Sequence, residues 1–121
     1  MDRFSEALLA DGPAPELGEA ANVYGWLIGS WEMDIIDYGE DGSRRLGQGE
    51  VHFAWALEGR AIQDLWIAPP RAARTGPPQK GNRYGTTLRV YDRSLDAWRI
   101  TWINPVTGVH EHLIGRKVGD D

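Results

Sequence analysis

The sequence predicts a mainly β domain, an antiparallel up-and-down meander that curls toward a barrel. Three observations predict it. Apolar and polar residues alternate with a period of two from Trp31 onward. The alternating runs are joined by short clusters rich in Gly, Asp, Asn and Ser. No strand–helix–strand rhythm of a parallel sheet is present.

The first residues are different in character. Asp2 is placed to cap a short helix over residues 2–10, with Phe4, Ala7 and Leu8 on one face. Gly12-Pro13-Ala14-Pro15 stops it, and a second, weaker helical stretch runs from Glu16 to Tyr24. The N-terminal helical segment is therefore 2–24.

The first strand reads from Trp31, Met33 and Ile35 alternating with Glu32 and Asp34, and 39–43 is a turn. Val51, Phe53, Trp55 and Leu57 define the second strand, and Glu58-Gly59 turns it into a third at 60–68. There Ile62, Asp64 and Trp66 share one face and Gln63, Leu65 and Ile67 the other. Residues 69–80 hold four prolines and one glycine, so they form a loop or lid rather than a central strand. Strands at 86–91, 97–103 and 109–114 follow, separated by turns at 92–96 and at Thr107-Gly108. The meander spans 29–114 of a single domain, 1–121. Whether one chain closes such a barrel is left open by a count of six strands.

The bulk properties exclude several functions. With no cysteine there is no disulfide, thiolate metal site or cysteine nucleophile. A net charge of -5 argues against nucleic acid as a partner. Arg71, Arg74, Lys80 and Arg83 form the one basic stretch, and its Pro and Gly neighbours make it a solvated loop. No apolar run reaches the roughly 18 residues of a membrane span. The polar start lacks the pattern of a secretory leader, so no membrane partner and a cytoplasmic location are expected. No cofactor motif is present: the glycines lack phosphate-loop spacing and there is no nucleophile elbow. Ser5, Ser30, Ser43 and Ser94 show no histidine partner in sequence.

Residues 29–31, Gly-Ser-Trp, open the first strand after a short helical turn. With Leu27-Ile28, the run from Leu57 to Asp64, the run from Gly85 to Asp92 and Trp98-Arg99-Ile100-Thr101-Trp102, they form an ordered series over roughly 27–104. This series resembles the calycin superfamily of lipocalin-like barrels, and within it the lipocalin-like families of the DUF1579 type. The resemblance implies a barrel that binds a small, often apolar molecule inside. It also implies that Trp31 closes the barrel base and stacks on an arginine, Arg89 or Arg99. Calycin barrels have eight or ten strands. Six imply either a chain shortened at its C-terminus or a homodimer whose partner covers the unpaired edge.

Trp31, Trp55, Trp66, Trp98 and Trp102 fall in predicted strands, and core packing is the first reading of all five. Trp66 and Trp102 are also placed to line a pocket. Asp64, an acid on an apolar face, sits at a cavity mouth or is buried with a partner. In such a setting it could have a raised pKa and act as a general acid or base. Glu50 and His52 share a strand face, within hydrogen-bonding reach or projecting into a cavity. His110 and His112 point to one side; with His52 or Glu50 as a third ligand they could hold zinc or iron. Two exposed histidines near the C-terminal end are the favoured reading, so no metal is assigned. The ligand-binding set is thus Asp64, Trp66, Arg89 and Tyr91, with Trp102, His110 and His112.

Two functions follow. The better supported is binding of a small hydrophobic molecule in the barrel cavity. The alternative is an enzyme on the same scaffold, an isomerase, cyclase or hydrolase, with Asp64, His110, His112 and Arg89 as its polar set. A filled structural module is the third reading.

Overall fold

Period-two patterning carries through into seven strands and two short helices in the computed structural model, which describes residues 1–79 and 81–119. Helix α1 (Arg3–Leu8) leads into β1 (Leu9–Ala10), a two-residue strand absent from the sequence reading. A 3-10 turn over Pro15–Ala21 and helix α2 (Asn22–Gly25) follow. The meander is β2 (Gly29–Tyr38), β3 (Arg44–Ala56), β4 (Ala61–Ala68), β5 (Arg83–Asp92), β6 (Ala97–Asn104) and β7 (Val109–Gly115).

Each strand from β2 to β7 pairs antiparallel with the next. β1 pairs with Trp55 and Ala56, extending the β2 side of β3. The turns are set by local side chains. The Asp92 carboxylate accepts from the Ser94 and Leu95 N–H groups, and Asn104 Oδ1 accepts from those of Val106 and Thr107. Between β3 and β4 the chain takes left-handed φ at Leu57, Glu58 and Gly59. A Cβ on Gly59 would collide with the backbone of residues 12–14, which crosses there.

The closure that the strand count leaves open is not made. Among the described residues β2 pairs only with β3 and β7 only with β6, so the sheet is open and not a barrel. Small barrels filled by side chains close with about eight strands, and this meander has six.

Alternation divides the sheet into two faces. The inner face carries Val51, Phe53 and Trp55 of β3, Ile62 and Asp64 of β4, and Trp98 of β6, all buried. The N-terminal segment covers one end of it: Leu17, Val23, Tyr24, Leu27 and Ile28 pack on the cluster around Ile62 and Trp98. Tyr24 meets Trp98 edge-on, with ring centroids 5.7 Å apart.

The helices correct the sequence reading in detail. Asp2 does cap α1, its Oδ1 accepting from Ser5 N–H at 2.8 Å. No residue of α1 is fully buried, however: Phe4 and Ala7 are exposed and only Leu8 of its apolar face is partly covered. The second helical stretch is a 3-10 segment over Pro15–Ala21, interrupted within by Gly18 (φ 54), followed by the short α2. No helix among the described residues is long and apolar enough to cross a membrane.

Candidate functional site

The end of the inner face that the N-terminal segment leaves uncovered forms a hollow of about 470 Å³, open to solvent. Trp66, Trp102, Ile100 and Leu113 give it apolar walls, and Thr87, Arg89, Arg83, Asn104 and Glu111 add polar groups. The predicted cavity is thus an open hollow, because β7 has no further strand to cover it among the described residues.

Strand register explains how these side chains meet. Thr87 lies opposite Trp102, and Trp66 opposite Gly85. Glycine at 85 leaves room for the Trp102 ring, since a Cβ there would stand 2.7 Å from it. Sequence reasoning passed over this residue, although a glycine inside a strand signals close approach.

Asp64 lies behind the hollow rather than in it. Its Oδ1 accepts from Thr87 N–H at 3.0 Å and its Oδ2 binds Arg89 Nη1. Both oxygens are engaged and the side chain is 0% exposed, so Asp64 meets neither substrate nor water. Its work is to hold Arg89. The Arg89 guanidinium stacks between Tyr24 and Phe53, 5.0 and 5.5 Å from their ring centroids. Arg89 Nε is buried with no hydrogen-bond partner among the described residues. This stacking replaces the contact with Trp31 that the resemblance implied. Trp31 sits on edge strand β2, three strand spacings from β5, and its Nε1 donates to Leu27 O at 2.6 Å. Arg99 is instead bonded to Asp92 at 2.8 Å.

Of the sequence-predicted set, Trp66, Arg89 and Trp102 line the hollow together. Tyr91 shares their face but packs on Trp98, with its hydroxyl donating to Asp96 at 2.6 Å. That hydrogen bond to a carboxylate pushes the phenol above its ordinary range. His110 and His112 project from β7 to the outer face, opposite Ile103 and Thr101. The structure does not bring them to the hollow.

Nor does it bring them to His52 or Glu50. Those lie on β3, four strand spacings away, or roughly 19 Å along the sheet. Among the described residues no group of three His, Cys, Asp or Glu side chains is placed to hold a metal.

The outer face of β2 and β3 carries a second constellation. Ser30 stands directly opposite His52, and Ser30 Oγ lies 2.8 Å from His52 Nδ1. His52 Nε2 lies 2.7 Å from Glu50 Oε1. Glu50 in turn receives Arg71: its Nη2 donates at 2.8 Å and its backbone N–H at 2.7 Å. The hydrogen bonds from Arg71, then that from His52, hold the Glu50 carboxyl at about 2, against an ordinary 4.5. Ser30 therefore has the histidine partner that linear spacing does not reveal.

The basic stretch is likewise more engaged than a solvated loop. Arg71 anchors the β4–β5 connection to β3, Arg74 lies over the Tyr84 ring, and Arg83 binds Asp37 at 2.6 Å. Lys80 lies outside the described residues. Comparison with protein-family models, with curated proteins and with solved structures returns no significant match.

Proposed function

We propose that the protein binds a small, mainly apolar molecule in the hollow beside Trp66 and Trp102. The observation that carries this reading is the hollow itself. Its 470 Å³ falls within the roughly 300–1,000 Å³ of small-molecule sites. Its walls are aromatic and aliphatic, with a few fixed polar groups. Arg89 is held by Asp64, Tyr24 and Phe53 and lines the hollow, where its guanidinium suits a ligand that carries a hydrogen-bond acceptor.

The calycin-like reading belongs with this proposal. It is supported by Gly29-Ser30-Trp31 opening β2 and by the simple meander order. The unpaired edges of β2 and β7 support a homodimer, in which a second copy adds its strand to one of them. Catalysis in the same hollow has less support: Glu111 is the one carboxylate lining it, and no histidine does so among the described residues.

The test is tryptophan fluorescence titrated with a graded panel of apolar alcohols, ketones and acids. At least one is expected to give a saturable change and a higher Tm. Leu113→Arg, at a half-exposed wall position, is expected to abolish that response while leaving the fold intact. A panel that moves neither fluorescence nor Tm overturns the proposal.

A further inference from the structure

We propose that Ser30 is an activated nucleophile that accepts acyl groups, with His52 as its general base and Glu50 as the group that orients the base. The proposal is independent of the hollow, which lies on the other face of the sheet.

The tautomer follows from the chemistry of the chain. Glu50 is ionised and can only accept hydrogen bonds. The 2.7 Å contact therefore fixes the proton of neutral His52 on Nε2. Nδ1 is left with a lone pair, and the Ser30 hydroxyl, 2.8 Å away, donates to it. That is the arrangement a serine nucleophile requires: a base within hydrogen-bonding reach, itself oriented by a third group. Arg71 grips both Glu50 oxygens, so the carboxylate cannot swing away from His52.

The site is reachable. Ser30 is exposed, and a groove of about 640 Å³ runs beside it, with Pro70 and Ala72 as its apolar side. Glu32 and Asp34 also line this groove. Like-charge repulsion disfavours anionic substrates there, so the fitting class is esters of neutral or cationic alcohols with a small apolar acyl group.

The step balances without a co-reactant. Ser30 Oγ forms a bond to the acyl carbon as its proton passes to His52 Nδ1. The bond to the leaving alcohol breaks, and that alkoxide takes the proton from His52. Water then repeats the sequence, giving up a proton to His52 and releasing the carboxylic acid as Ser30 regains its hydrogen. Glu50 stays ionised throughout.

The experiment uses p-nitrophenyl acetate and a neutral fluorophosphonate, with peptide mass spectrometry to locate the label. Modification is expected at Ser30, absent in Ser30→Ala and slowed about 10²–10⁴-fold in His52→Gln. A cysteine-free chain permits a second reading that does not depend on turnover. The thiol in Ser30→Cys is expected to react with iodoacetamide more than about tenfold faster than that in Ser43→Cys. Adding His52→Gln is expected to erase the difference. Label on other residues only, no label, equal labelling of Ser30 without His52, or equal thiol rates at 30 and 43 would each overturn the proposal.

Discussion

Asp64 and Arg89 form an ion pair between neighbouring strands of the inner face, with the carboxylate wholly enclosed and the guanidinium 13% exposed. They are diagonal neighbours: Asp64 stands opposite Thr87 and Arg89 opposite Ile62. A charge so placed is stable only while its partner remains. Asp64→Ala leaves a buried guanidinium with its strongest partner gone, and is expected to cost about 3–5 kcal/mol. Asp64→Leu with Arg89→Met removes both charges and is expected to recover most of that loss. Urea unfolding followed by tryptophan emission measures both. A double variant no more stable than Asp64→Ala would show that the pair is not the source of the cost.

Gly85 has a different kind of constraint. Its neighbours across the sheet are the Ile103 carbonyl and the Trp102 ring, and a methyl group reaches both. Gly85→Ala therefore either pushes Trp102 into the hollow or separates β5 from β6. Overpacking of this kind costs about 1–3 kcal/mol. The expected outcome is a lower Tm with a shifted tryptophan emission maximum. A variant with wild-type emission and ligand response would show that the ring position does not depend on this glycine.

These two sites show what alternation can and cannot disclose. Period two alone puts Asp64 beside Ile62 and Trp66, and the enclosed face is where the structure has it. Its partner is invisible to the same reasoning, because the β4–β5 register depends on a long connection whose path no local pattern sets. Ser30 and His52 are hidden for a related reason. The alternation starts at Trp31, one residue after the serine, and β3 begins upstream at Arg44, where Gly47 and Gly49 blur the pattern. For His110 and His112 parity is legible but side is not. β7 is exposed on both faces, with Leu113 50% and Ile114 57% accessible, so burial does not tell inner from outer.

Glu50 links the outer-face constellation to pH. Its carboxyl is held at about 2 by Arg71 and His52 rather than at the ordinary 4.5. A depressed folded-state pKa contributes stability that is fully present above the ordinary value and is lost as pH falls toward the folded one. The window is therefore acidic, from about 4.5 down to about 2. Only at its acid end, near the folded value, does the carboxyl of the folded protein begin to take up a proton; there it loosens its hold on Arg71, and the 3-10 turn over Arg71–Ala73 comes away from β3. The Arg71 backbone amide, bound to Glu50 at 2.7 Å, is the reporter. Its NMR resonance is expected to stay put through the upper part of this window and to move at its acid end, near 2, where its hydrogen exchange, corrected for the intrinsic rate, accelerates. Glu50→Gln is expected to show the loosened connection at neutral pH and to flatten the transition. An Arg71 amide as protected at the bottom of the window as at neutral pH would mean that something other than Glu50 secures the connection.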